Sequence, residues 1–64
     1  MKSFSKNLKQ IRLANNMSQK EFAEKLNTNQ QRVSEWECDK IEPTLSSIVK
    51  IVQVLGVTFE DLIE

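Results

Sequence analysis

The stretch 18-SQKEFAEKLNTNQQRVSEWE-37 holds two short helical patterns with almost no chain between them. Its opening, Ser18 to Glu21, has the capping-box form: the serine hydroxyl takes the Glu21 amide, and the Glu21 carboxylate returns to the Ser18 amide. Phe22, Ala23 and Leu26 then fall on one face of a helix that ends at Asn27. Thr28 and Asn29 are both good N-caps, so the next helix starts after a turn of about two to four residues. In that helix Val33 and Trp36 set the inward side. At about 100° per residue, Gln31 and Cys38 point directly away from them, flanked by Gln30, Ser34 and Glu35, with Arg32 and Glu37 at the borders. Helices joined this tightly form either an αα-hairpin or a helix-turn-helix. Ala23 is small enough for a close crossing, and Asn27 tolerates the positive φ of a tight turn. Val33 and Trp36 have the spacing to pack back on Phe22 and Leu26. Together these features favour the helix-turn-helix.

The flanks are helical too. One glycine, one proline and no alternating β-branched runs describe an all-α chain. Upstream, Leu8, Ile11 and Leu13 give a partial helical stripe, with Ser3 as its N-cap and Asn15-Asn16 as its stop. Downstream, Thr44 caps a helix in which Leu45, Ile48, Val49, Ile51, Val52 and Leu55 cover most of the circumference. That pattern predicts a central, buried helix. Gly56 stands where a left-handed C-terminal residue belongs. Thr58 caps a last short helix with Glu60 and Asp61 in its first turn, favourable to the helix dipole. Phe59, Leu62 and Ile63 form its apolar side.

Sixty-four residues make a single domain, 1–64. A chain this short buries only about 60% of its unfolded surface. Cys38 has no partner for an internal disulfide, and without histidine there is no metal-ligand set, which together fit a reducing, cytoplasmic setting. No apolar run approaches the ~18 residues of a membrane span, and the N-terminus lacks the apolar core of a signal peptide. No cofactor, small-molecule ligand or membrane partner is implied. An enzyme is not expected either, because the chain offers no nucleophile–base pair.

Net charge is zero, which alone argues weakly against a nucleic-acid partner. Its distribution says more. Residues 1–12 carry Lys2, Lys6, Lys9 and Arg12 without an acid, giving +4, whereas residues 41–64 carry Lys50 against Glu42, Glu60, Asp61 and Glu64, giving −3. The chain has a basic head and an acidic tail. A solvated helix face is the plain alternative for the head.

The segments "SQKEFAEKLN", "VSEWECD", "PTLSSI" and "LGVTFEDLI" line up without a gap with the recurring pattern of one family. That pattern runs S/T-Q-x-x-L/F-A-x-x-L-G, then V/I-S-x-W/I-E-x-G, P-S/T-L-x-x-L and LGVSLDELL. Over residues 8–64 the chain resembles the Cro/C1-type (XRE) helix-turn-helix family of phage repressors, Cro proteins and small bacterial regulators. Two positions depart from it: Asn27 and Asp39 stand where the family has glycine. Both sites want a left-handed residue, and Asn and Asp are the next most tolerant types.

The resemblance implies a five-helix, lambda-repressor-like domain with its helix-turn-helix at helices 2 and 3, the third in the major groove of double-stranded DNA. Base reading falls on Gln30, Gln31, Ser34 and Glu35, and phosphate contact on Ser18, Gln19, Lys20, Asn29, Arg32, Lys40 and Arg12. Arg12 also matches an arginine that pairs with the acid of W-E, here Glu37, as a structural ion pair. The family's habit of binding pseudo-palindromic sites as homodimers places a dimer surface on Val57, Phe59, Leu62 and Ile63, some of which must instead complete the core. A transcriptional repressor is the expected role. Two glutamines on a helix surface are also ordinary helix formers, and Glu35 with the neutral charge leaves open a protein-interaction module that has lost DNA binding. The chain reads either as a complete Cro-like protein or as the DNA-binding part of a longer regulator.

Overall fold

A computed structural model describes residues 2–64, with the backbone alone for Lys2, as five helices: α1 (Lys2–Ala14), α2 (Gln19–Lys25), α3 (Gln30–Glu37), α4 (Leu45–Leu55) and α5 (Phe59–Ile63). The last four each start where a side chain takes up an amide that has no partner within the helix. At α2 the capping box is complete: Glu21 N–H donates to Ser18 Oγ and Ser18 N–H to Glu21 Oε1, both at 3.0 Å. A second box opens α5, where Asp61 N–H donates to Thr58 Oγ1 at 3.1 Å and Thr58 N–H to Asp61 Oδ2 at 3.0 Å. Asn29 caps α3 by accepting from Arg32 N–H at 2.8 Å, and Thr44 caps α4 by accepting from Ser47 N–H at 3.2 Å.

The first four helices stop in one way. Asn16, Asn27, Asp39 and Gly56 have φ of 58°, 60°, 59° and 65°, all left-handed. Behind each, the next amide reaches back five residues: Met17 to Arg12, Thr28 to Ala23, Lys40 to Glu35 and Val57 to Val52, at 2.9–3.3 Å. That bond belongs to the Schellman motif, which satisfies carbonyls otherwise left open at a helix end. The turn between α2 and α3 is therefore one instance of a device used four times.

Phe4, Leu8, Phe22, Ala23, Leu26, Val33, Trp36, Ile51, Leu55 and Leu62 make the core. The α2–α3 pair packs as the sequence suggests, with Phe22 and Val33 fully buried. Full burial of one such side chain stabilises the fold by roughly 1.5–3 kcal/mol.

Three expectations are corrected. Ser3 lies inside α1, which begins at Lys2, and so is not its N-cap. Leu13 is 53% exposed, because the face of α1 that turns inward is Phe4–Leu8, with Ile11 at its edge. Lastly, α4 is not the central helix. Its Leu45 is 77% exposed and Val49 48%, while only Ile51 and Leu55 are buried; α1 is the helix packed between α3 and α5. Asn7 helps fasten it there, donating from Nδ2 to the Leu62 carbonyl at 3.0 Å.

Candidate nucleic-acid interface

Val33 and Trp36, at 0% and 2% exposure, fix the rotation of α3 about its own axis. With that rotation set, Gln30 and Gln31 are exposed, and Ser34 and Glu35 are half-buried along the same outer arc. Arg32 is exposed on the far border, and Cys38 follows as the exposed C-cap. The arc carries amides, a hydroxyl and one carboxylate, all groups that pair with base edges in a major groove.

Glu37, on the opposite border, turns inward to α1. Arg12 Nε donates to Glu37 Oε2 at 2.6 Å and Arg12 Nη2 to Oε1 at 3.0 Å, a two-pronged pair whose side chains are 7% and 3% exposed. Arg12 Nη1 donates to the Met17 carbonyl at 2.7 Å. The structural ion pair is thus present. The expected phosphate role of Arg12 is withdrawn, because its guanidinium lies inside the domain with each of its three nitrogens engaged.

The same carboxylate continues outward. Gln19 Nε2 donates to Glu37 Oε1 at 3.1 Å, and Gln30 Nε2 makes a long contact of 3.5 Å to Gln19 Oε1. One chain of contacts thus runs from buried Arg12, through Glu37 and Gln19, to the first residue of α3. Gln19 is the first residue of α2, so the N-terminal ends of both helices are brought side by side. The Gln19 and Lys20 amides lie in the first turn of α2, ahead of residues that can bond four back.

Of the other phosphate candidates, Lys20 and Lys40 are exposed side chains next to α2 and after α3. Asn29 and Ser18 have a first duty as N-caps through their side-chain oxygens. Ser5 was not anticipated: buried on α1, its hydroxyl donates to Asp39 Oδ1 at 3.2 Å and ties the end of α3 to the core. No local signal distinguishes Ser5 from any exposed serine on a helix. The expected dimer set divides as well. Phe59 is 45% exposed, and Val57 and Ile63 are half-buried, but Leu62 is fully buried and belongs to the core.

No helix among the described residues is long and apolar enough to cross a membrane. Two short helices crossing through a left-handed turn, with the second anchored by two side chains and polar outside, are a helix-turn-helix. The chain belongs to the helix-turn-helix family of the Cro/C1 type, whose model matches residues 8–62. It is 32% identical over 60 residues to the HTH-type transcriptional activator BcrR of Enterococcus faecalis, a stretch that is 94% of this chain and 29% of that protein. The chain therefore spans less than a third of the length of that curated relative.

Proposed function

We propose that this domain is the sequence-specific DNA-binding unit of a transcription regulator, reading a pseudo-palindromic site as a homodimer with α3 in the major groove. The observation that carries the reading is the division of α3: Val33, Trp36 and Glu37 hold it from inside, and Gln30, Gln31, Ser34 and Glu35 are left on the outer arc. Glutamine donates and accepts at once, so it fits adenine N6 and N7 together, with about 1–3 kcal/mol of discrimination per good bidentate pair. Glu35 accepts from cytosine N4 in the same groove. Gln19, Lys20, Arg32, Lys40 and the amide of Asn29 are the phosphate contacts, which set register and carry no sequence information. Two copies with α3 helices about 34 Å apart match half-sites one helical turn apart.

Occupying a promoter gives repression when it blocks the polymerase and activation when it recruits it. The resemblance to phage repressors supports the first, whereas BcrR is described as a transcriptional activator. In either case the domain works in the cytoplasm, without a cofactor or catalysis. The test of DNA binding is titration of the protein against random-sequence duplex at about 50 mM salt, where phosphate contacts dominate. Measurable affinity that falls steeply toward about 200 mM salt is expected. No affinity at low salt would leave the fold as a protein-interaction module.

A further inference from the structure

Helix α4 carries more apolar side chain than the core takes up. Ile51 and Leu55 point inward and are buried, while Leu45, Val49 and Val52 form a second stripe roughly a quarter turn away, with Val52 half-buried where the stripe meets the core. Leu45 and Val49 are 77% and 48% exposed. A single exposed leucine is ordinary, but apolar residues at i, i+4 and i+7 make a continuous seam.

Outside α4 the exposed large apolar side chains among the described residues are Leu13, Ile41 and Phe59, and the surface to weigh against the seam is the exposed edge of Phe59, which lies in the expected dimer set. That edge shares a five-residue helix with Glu60 and Asp61, and Glu64 follows directly; all three acids are exposed. A two-fold contact centred on Phe59 would bring the acids of the two copies near one another, and like charges so placed oppose association. The segment LSSIVKIVQVL of α4 contains no acid, and its one charge, Lys50, lies about 130° round the helix from the seam.

We propose that a second copy of this chain docks on the Leu45–Val49–Val52 seam, with the two α4 helices antiparallel and the two-fold axis beside Val49. In that register Val49 of each copy meets Val49 of the other, and Leu45 of each lies over Val52 of the other. The contact is isologous and needs no third element. Each α4 N-terminus then faces a C-terminus, the favourable arrangement of helix dipoles. The main packing neighbours of α3 are α1 and α2, so the seam leaves the reading helix uncovered. Reading helices about 34 Å apart must sit farther out than the centres of two touching domains. With extents of 24 × 24 × 21 Å here, this rules out a contact close to α3. An 11-residue helix is about 16 Å long, and one seam along it buries well under the ~800 Å² per partner of a standard interface. The free dimer is therefore weak, and two half-sites on one duplex complete it. From the proposed function this takes only that the domain pairs.

The test uses Val49→Cys and Phe59→Cys, each in a Cys38→Ser background because Cys38 is an exposed thiol. Circular dichroism confirms the fold of each. Under mild oxidation Val49→Cys is expected to give a disulfide-linked dimer, while Phe59→Cys stays monomeric. Leu45→Glu is expected to weaken self-association in sedimentation equilibrium by about tenfold or more. It should also abolish cooperativity on a two-half-site duplex while leaving single-half-site affinity unchanged. Linking through Phe59→Cys and not Val49→Cys would move the contact to α5 and overturn the proposal. Equal linking of both, or neither linking with a monomer mass at every concentration, would overturn it too. Linking through Val49→Cys with no DNA affinity at low salt would keep this contact and remove the DNA reading instead.

Discussion

The Arg12 guanidinium holds both oxygens of the Glu37 carboxylate from inside the domain, with Nε 2.6 Å from Oε2 and Nη2 3.0 Å from Oε1. Removing one partner strands the other charge in a site that is 7% or less exposed. Glu37→Ala should therefore destabilise the fold by about 3–5 kcal/mol, measured by urea unfolding, because an uncompensated buried charge remains. Replacing both residues with apolar ones of similar volume should recover much of that loss. A Glu37→Ala loss below about 1 kcal/mol would place the pair in water, at the strength of a surface ion pair.

The left-handed residues separate backbone strain from side-chain contact. Asn27 has φ of 60° and Asp39 59°. Asn27→Gly should raise stability by about 0.5–1 kcal/mol, since glycine adopts this region without a Cβ penalty. Asp39→Gly should give less, because it also removes the acceptor of the Ser5 hydroxyl. Gly56→Ala should cost about 1 kcal/mol from φ alone, as a Cβ there meets nothing within 4 Å. Denaturation midpoints of the three variants check the order.

The Glu21 carboxyl is held below its ordinary value near 4.5, first by the Ser18 backbone N–H and then by the Ser18 hydroxyl, with Lys25 adding a smaller effect in the same direction. A lowered folded value means the contribution is complete above the ordinary value and fades as pH falls through the folded one. Between about pH 5 and pH 2, wild-type Tm should therefore drop more than that of Glu21→Gln, which keeps a capping side chain but has no proton to gain. Parallel Tm curves for the two proteins would show that this carboxylate contributes nothing to the acid transition.

Reading and gripping residues should respond differently to sequence. Gln31→Ala is expected to lower affinity for the cognate site by about 1–3 kcal/mol while leaving binding to random duplex unchanged. Gln19→Ala should weaken binding to every sequence, because Gln19 opens α2, where it is read as a phosphate contact that carries no sequence information. Glu35→Gln should relax a cytosine preference at one position of the half-site. Equal losses on cognate and random duplex for Gln31→Ala would remove it from the reading set.

Much of this was legible where local chemistry decides. Ser18, Thr44 and Thr58 cap helices because the hydroxyl reaches an amide two or three residues on, and a single strand of sequence contains that information. Asn27, Asp39 and Gly56 were readable as left-handed stops for the same reason. The inward rotation of α3 followed from Val33 and Trp36, the two apolar residues ahead of its C-cap. Where several apolar residues compete, sequence left the choice open. Leu8 and Leu13 lie about 140° apart on a helix, so they cannot both face inward, and Phe4, about 40° from Leu8, takes the place given to Leu13. The exposure of Leu45 is a second instance, since α4 has apolar residues over most of its surface and only neighbouring helices choose among them. The link from Glu37 to Gln19 crosses 18 residues of sequence and is set by how α2 meets α3.

The central claim is that the outer arc of α3 reads bases. Selection of bound sequences from a randomised duplex pool at about 50 mM salt tests it most directly. The expected result is enrichment of a pseudo-palindrome with half-site centres about 10 bp apart, and with adenine at positions that Gln30→Ala and Gln31→Ala each relax. Retention of the pool without enrichment, or enrichment unaffected by those two substitutions, would contradict it.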